Sequence, residues 1–354
     1  MEDRYVAYAG TFTRGESEGI YIMDLSMPRP TFKIRDVFKI NNPSVLQISA
    51  DGRYLYSSFD GGVAAMRILE DGGLEMMGTA SVNGLRPASL CVDRANRYLV
   101  SGGYHDGKLT ILKIQKNGKV GEVTDEIFMK GLGSVGGRHY HSHIRCVTFT
   151  PDEKYLAVVD LGMDQVQVFA FDHEHGKLKK HSIIRCELES GPRDMVFSHN
   201  GKFAYILHEY GNYVTQYAYE EDGAVFTRMQ QLSTLPEDYK NYNSAICLEL
   251  SEDDRHLFAS NSGNNSVAIF EIEPESGQMR QICVLPISGE FPSDTLIMPD
   301  GIHFASVNQE GSSITMFKIN YEKGYFVMDG KPVHLPYPVC IRLHKLQDTS
   351  HVSQ

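Results

Sequence analysis

The side chains of this sequence best suited to polar chemistry are Arg145, Arg193, Asp194 and Glu209, which lie at comparable places in successive stretches of the chain. A guanidinium fork can hold phosphate or carboxylate oxygens and can stabilise an anion as it forms. A carboxylate such as Glu209 can take a proton from an attacking water. A second constellation is RHYHSH over 138–143, where His139, His141 and His143 would alternate onto one face of an extended strand. Three histidines so placed could form a metal site, although no fourth ligand is evident and a polar lead into a strand explains the run as well. Asp160, in DLGMD over 160–164, reads as a turn brace rather than a catalytic group. Six cysteines lie far apart without any CxxC pair, which reads as unpaired thiols in a reducing, cytoplasmic setting.

These residues can act together only if some element brings them together, and a long-period repeat does so. A turn, a basic or polar residue, an aromatic and an apolar run recur as ADGRYLYSS, RANRYLVSG, PDEKYLAVV and HNGKFAYIL, and more weakly as EDDRHLFAS and PDGIHFASV. Successive copies are 44 to 57 residues apart, which suits four short strands and their turns. Each copy continues into a two-periodic run such as KLTILKIQ or QVQVFAFD, the pattern of half-buried strands and not of amphipathic helices. A further short strand precedes each turn, as in ASLCVD, RCVTFT and DMVFSH. Every copy is therefore one propeller blade.

The ends settle the number of blades. RYVAYAGT, GIYIMDL and TFKIRDVFKI match the second, third and fourth strands of a blade, whereas PYPVCIRL near the C-terminus matches only a first strand. Joined, they make a seventh blade. The sequence thus predicts an all-β, seven-bladed propeller over residues 1–345, closed by a blade shared between the termini, with a loose tail over 346–354.

In such a ring the inner strands line one channel, and their first residues converge on one mouth. The converging set includes His143, Arg145, Arg193, Asp194 and Ser293, and the loops after the aromatic strands add Arg14, Asp60, Tyr104, Glu209, Asn261 and Asn308. Arg145, Arg193, Asp194 and Glu209 come from adjacent repeats and form the candidate cluster. Buried Asp and Arg in propellers also brace turns between blades, an alternative that applies to each of them.

The bulk numbers narrow the partners. A formal net charge of −11 favours solubility and opposes a broad nucleic-acid footprint, so an anionic ligand needs a local cationic pocket. The N-terminus has no signal-peptide pattern, and no apolar run is long enough to span a membrane. The absence of tryptophan removes the Trp-Asp signature of WD-repeat scaffolds. Docking motifs for a quinone cofactor are also missing.

TFTRGESEGIY over 11–21, VTFTPDEKYL with DLGMD over 147–164, GPRDMVF over 191–197 and the loop at His208–Glu209 together resemble the lactonase family of seven-bladed propellers. That family includes 6-phosphogluconolactonases and carboxymuconate cyclases. The resemblance covers essentially the whole chain. It implies ring-opening hydrolysis of 6-phosphoglucono-δ-lactone, in the pentose phosphate pathway, with no metal or organic cofactor. The family's arginine in GPRH corresponds to Arg193 and its loop glutamate to Glu209. The family's histidine before the VTF strand is replaced by Arg145, with His143 two residues earlier. Asp194 stands where GPRH has histidine, Ser262 where SNRG has arginine, and Ser293 where an arginine often follows proline.

The resulting expectation is a hydrolase with Glu209, Arg193 and His143 as catalytic groups. Arg145, Asp194, Arg14, Asn261 and Ser293 would bind a small anionic sugar lactone. Two alternatives stand beside it: a lactonase or cyclase for another anionic lactone or muconate-like acid, and a non-catalytic propeller that binds a metabolite or protein.

Overall fold

The computed structural model describes residues 4–27, 29–131 and 141–346, and every helix or strand among them is a strand. The strands form seven sheets arranged as a seven-bladed propeller. Blade I joins both ends of the chain: Pro338–Lys345 is its inner strand, followed outward by Tyr5–Thr11, Gly19–Ser26 and Thr31–Lys39. The register places Ala7 opposite Leu343 and Ala9 opposite Ile341. Leu346 is also buried, with its N–H donating to the carbonyl of Arg4 at 2.8 Å, so the ordered closure runs one residue further than the sequence predicts. Residues 347–354 of the predicted tail, and His139 of the histidine run, lie outside the described residues.

Burial explains the alternations seen in the sequence. Second strands such as Tyr98–Gly103 and Phe203–His208 are buried along their whole length, because a blade packs on each face. Fourth strands such as Lys177–Arg185 are mostly exposed or half-buried. Inner strands such as Pro192–Phe197 bury every third residue and leave the intervening pairs half-exposed toward the channel. The core is accordingly divided among the blade interfaces. One cluster sets Tyr98 and Leu109 of blade III against Ile144 and Val158 of blade IV. Another sets Ala7 and Met23 of blade I against Val307 and Ile314 of blade VII.

The recurring aromatic at the start of the second strand has a specific task. Tyr54, Tyr98 and Phe203 each lie against a glycine in the outer turn of the following blade, namely Gly118, Gly176 and Gly277. These glycines have φ of 84°, 63° and 66°, and a Cβ at Gly118 would lie 2.3 Å from the Tyr54 ring. Only glycine permits both the left-handed turn and the close approach. Tyr56 and Tyr205, two residues further along, donate their hydroxyls to the carbonyls of the same Gly118 and Gly277 at 3.0 and 2.9 Å.

Candidate active site

The inner strands carry a bulge near their first residues. In blade IV, Ile144 pairs with Asp160 and Cys146 with Val159, so Arg145 is left over. In blade V, Pro192 pairs with His208 and Asp194 with Leu207, so Arg193 is left over. A bulged residue is re-aimed out of the regular sheet alternation. Arg145 and Arg193 thereby reach the same end of the channel as Glu209, which directly follows the strand Phe203–His208.

Glu209 is fixed by its backbone, whose N–H donates to Gly191 at 2.7 Å and whose carbonyl accepts from Ala245 of blade VI at 3.0 Å. Its carboxylate pairs with the Arg193 guanidinium, and both side chains are largely buried. Arg193 Nε donates to the Ile246 carbonyl at 2.6 Å, which locks the plane of the fork. Arg145 is placed differently. Its guanidinium lies 5.2 Å from the centre of the Tyr104 ring, within cation–π range. Its Nε is buried without a hydrogen-bond partner. Burial, reinforced by repulsion from Arg193 and opposed by Glu209, pulls its pKa down to about 10. Arg145 therefore remains a cation at neutral pH, with an unmet demand for an anionic or carbonyl oxygen.

His143 stacks on Tyr104, with ring centres 4.3 Å apart, and its Nδ1 lies 2.7 Å from the Tyr104 carbonyl. A carbonyl only accepts, so Nδ1 carries a proton in this contact. His141 lies beside it at 4.3 Å between centres. No group of three His, Cys, Asp or Glu able to hold a metal occurs among the described residues. Asp160 is fully buried and accepts from Ser142 Oγ at 2.6 Å and from the His143 N–H at 2.9 Å, the bracing role expected of it.

The sequence predicts more binding residues than the geometry assembles. Asp194, expected to contact the ligand and to pair with Arg193, turns instead to the next blade, where it accepts from the Leu248 N–H at 3.0 Å. It also accepts from its neighbour Met195 at 2.9 Å. Ser89 and Asp294 occupy the same repeat position and accept from Val147 and Ile341 at 3.0 and 2.9 Å. The carboxylate of Asp194 is thus an inter-blade tie. Asn261 is fully buried and bonded to Thr234, Asn243 and Ser266, so it braces a loop. Arg14 is exposed on blade I, over the Phe12 ring that Arg86 also approaches, away from the cluster on blades IV and V. Ser293 donates to the carbonyls of Val307 and Pro338 on the far side of the ring, and the Ser262 N–H donates to Ser244 in a turn. Two participants escaped the sequence reading as site residues: Tyr104, at the loop position that Glu209 occupies two blades on, and the Ile246 carbonyl.

A channel mouth with two guanidinium groups, one carboxylate and an oriented imidazole is suited to an anionic ligand with a polarisable carbonyl. The fold and this site define a propeller hydrolase class, and the comparisons are specific about which. Residues 6–343 match the family described as "Lactonase, 7-bladed beta-propeller", and the chain belongs to that family. Among its relatives is the 6-phosphogluconolactonase of Bacillus subtilis, 27% identical over 97% of this chain and 99% of that protein. Another is the 6-phosphogluconolactonase of Formosa agariphila, 29% identical over 90% and 93% of the two chains. Among solved structures, the Pseudomonas aeruginosa periplasmic gluconolactonase PpgL superposes with a TM-score of 0.92 at 25% identity, covering 97% of this chain and all of that one.

Proposed function

We propose that the protein opens a sugar lactone by hydrolysis at the channel mouth, with 6-phosphoglucono-δ-lactone as the substrate. The observation that carries this reading is the ion pair Arg193–Glu209 in the same channel mouth as Arg145, whose Nε is buried without a hydrogen-bond partner. Arg145 receives the phosphate, for which its fork is suited. Arg193 holds the Glu209 carboxylate and lies where negative charge grows on the carbonyl oxygen. Glu209 takes a proton from water as the water oxygen adds to the lactone carbonyl carbon. The ring carbon–oxygen bond then breaks, the departing ring oxygen takes up that proton as a hydroxyl, and the new carboxyl group ionises in water. His143, oriented by the Tyr104 carbonyl, positions the water.

The two 6-phosphogluconolactonase relatives support this substrate, which would make the protein part of the pentose phosphate pathway. All six cysteines are free, which supports a reducing, cytoplasmic location, although the Pseudomonas relative is described as periplasmic. No helix among the described residues is long and apolar enough to cross a membrane. One observation favours a second reading: Arg193 is held by both Glu209 and the Ile246 carbonyl, as a brace between blades V and VI would be. Hydrolysis of freshly prepared 6-phosphoglucono-δ-lactone, corrected for spontaneous opening, separates the two. Turnover above background is expected, and a rate equal to background with this lactone and its unphosphorylated analogue would leave the bracing reading.

A further inference from the structure

At its other end the channel widens into a cavity of about 500 Å³, lined by Gln47, Cys91, Thr148, Met195, Val196 and Glu249 among others. Five successive blades contribute to it. It opens between the turns that join first and second strands, around Pro151 and Ser198, on the face opposite Arg193 and Glu209.

The charges in this half of the channel are unevenly satisfied. Arg342 is taken by Asp294, at 2.8 Å, and the Asp194 carboxylate is taken by backbone N–H groups. Glu249 has no hydrogen-bond or ion-pair partner among the described residues, and Asp294, Arg342 and Asp194, which do not line the cavity, act on it electrostatically. With Glu249 ionised, the carboxylates of Glu249, Asp294 and Asp194 outnumber the Arg342 guanidinium in this part of the channel, the reverse of the two guanidiniums and one carboxylate at the mouth. Low-dielectric walls concentrate such a field. The nearby thiols of Cys91 and Cys247 are held neutral by burial. At the surrounding opening, the Arg94 backbone N–H donates to the Glu153 carboxylate, the exposed Arg94 guanidinium and that carboxylate offset one another in charge, and His199 is paired with Asp254.

We propose that this cavity is a second binding site, for a primary alkylammonium ion whose NH₃⁺ group sits on the Glu249 carboxylate. A monovalent N–H donor suits the site better than a metal, because no three metal-ligating side chains converge among the described residues. Gln47, whose Nε2 donates to the Ile48 carbonyl, retains its Oε1 as an acceptor. Thr148, which donates to the Phe149 carbonyl, retains hydroxyl lone pairs. Met195, Val196 and Cys91 supply an apolar wall for the alkyl chain. Burial, with Asp294 adding to it, raises the Glu249 pKa to about 8, so a bound cation exchanges with a proton. Binding therefore strengthens as pH rises, by roughly twentyfold between about pH 6.5 and 8.5, while the amine itself stays protonated.

The test is a titration of the full chain with n-propylammonium chloride in amine-free buffer, followed by ligand-observed NMR. Saturable binding that tightens about twentyfold over that pH interval is expected. Tetramethylammonium, which lacks N–H donors, should not bind. Glu249→Gln should abolish the pH dependence and weaken binding at least tenfold, with an unchanged melting curve showing that the fold survives. Gln47→Leu, which removes only the second acceptor, should weaken binding several-fold. Glu209→Gln should leave it unchanged, because that residue belongs to the opposite mouth. The proposal is overturned if wild type shows no saturable binding at pH 8.5. Equal binding by Glu249→Gln, equal binding of tetramethylammonium, or loss of binding in Glu209→Gln would overturn it as well.

Discussion

In the proposed mechanism Glu209 and Arg193 are the residues on which catalysis turns, and their separate contributions are measurable. Glu209→Gln keeps the shape but removes the proton acceptor, so kcat should fall by about two orders of magnitude or more with KM little changed. Arg193→Lys keeps the charge but loses the fork that spans Glu209 and the Ile246 carbonyl, and should raise KM as well as lower kcat. If the pair only braces the blades, melting temperature falls in both variants while turnover of whatever lactone is hydrolysed stays unchanged. His208, next to Glu209, offers a test of a different kind. It is buried between Ser190 Oγ and Thr215 Oγ1, and burial drives its pKa down to about 3. An unfolded histidine binds its proton near pH 6.5, so this residue favours folding above that pH and withdraws the contribution as pH falls toward 3. One such group changes stability by about 1.4 kcal/mol per pH unit inside that window. Urea unfolding between pH 6.5 and 4.5 should therefore show a shallower loss of stability in His208→Gln than in wild type, and equal slopes would refute the assignment.

Among the elements, the outer turns carry the seam between blades. Gly118 combines a left-handed φ of 84° with the Tyr54 ring at the place a Cβ would occupy. Gly118→Ala should thus cost about 2–4 kcal/mol, from the left-handed backbone together with overpacking. Gly324 has a similar φ of 63° but nothing near its would-be Cβ. Gly324→Ala should cost only the backbone share, about 1–2 kcal/mol. Denaturant unfolding of the two variants compares them directly, and equal losses would show that the aromatic contact contributes nothing. The repeat thus announced the aromatic of this contact, but neither the outer-turn glycine nor that the two meet across a blade boundary. Likewise, the positions of Arg145 and Arg193 at the strand starts were legible, whereas the bulges that aim them were not. A bulge is a mismatch of two strands, and neither strand alone records it.

For the whole molecule, closure of the ring depends on Pro338–Lys345, whose hydrogen bonds to Tyr5–Thr11 supply the inner strand of blade I. Deleting residues from Pro336 onward leaves Ala7, Ala9 and Met23 without the covering Ile341 and exposes an unpaired strand edge. That variant should fail to give a cooperative unfolding transition and should aggregate, which circular dichroism melting and gel filtration would report. A cooperative melt near that of wild type would contradict the closure argument. The sequence by itself determined the number of blades, the shared closing blade, the mouth on which Arg145, Arg193 and Glu209 converge, and six cysteines spaced too far apart to pair within a motif. It could do so because alternation, turn residues and repeat period are properties of local chain segments. The arrangement in space was needed to show that Asp194 and Asn261 are internal ties, that Arg14 stands apart, that Tyr104 lies against Arg145 and His143, and that Glu249 lacks a partner among the described residues. Each of those outcomes depends on which neighbouring blade reaches a side chain first, and hydrogen-bond partners drawn from different repeats leave no periodic trace in the chain.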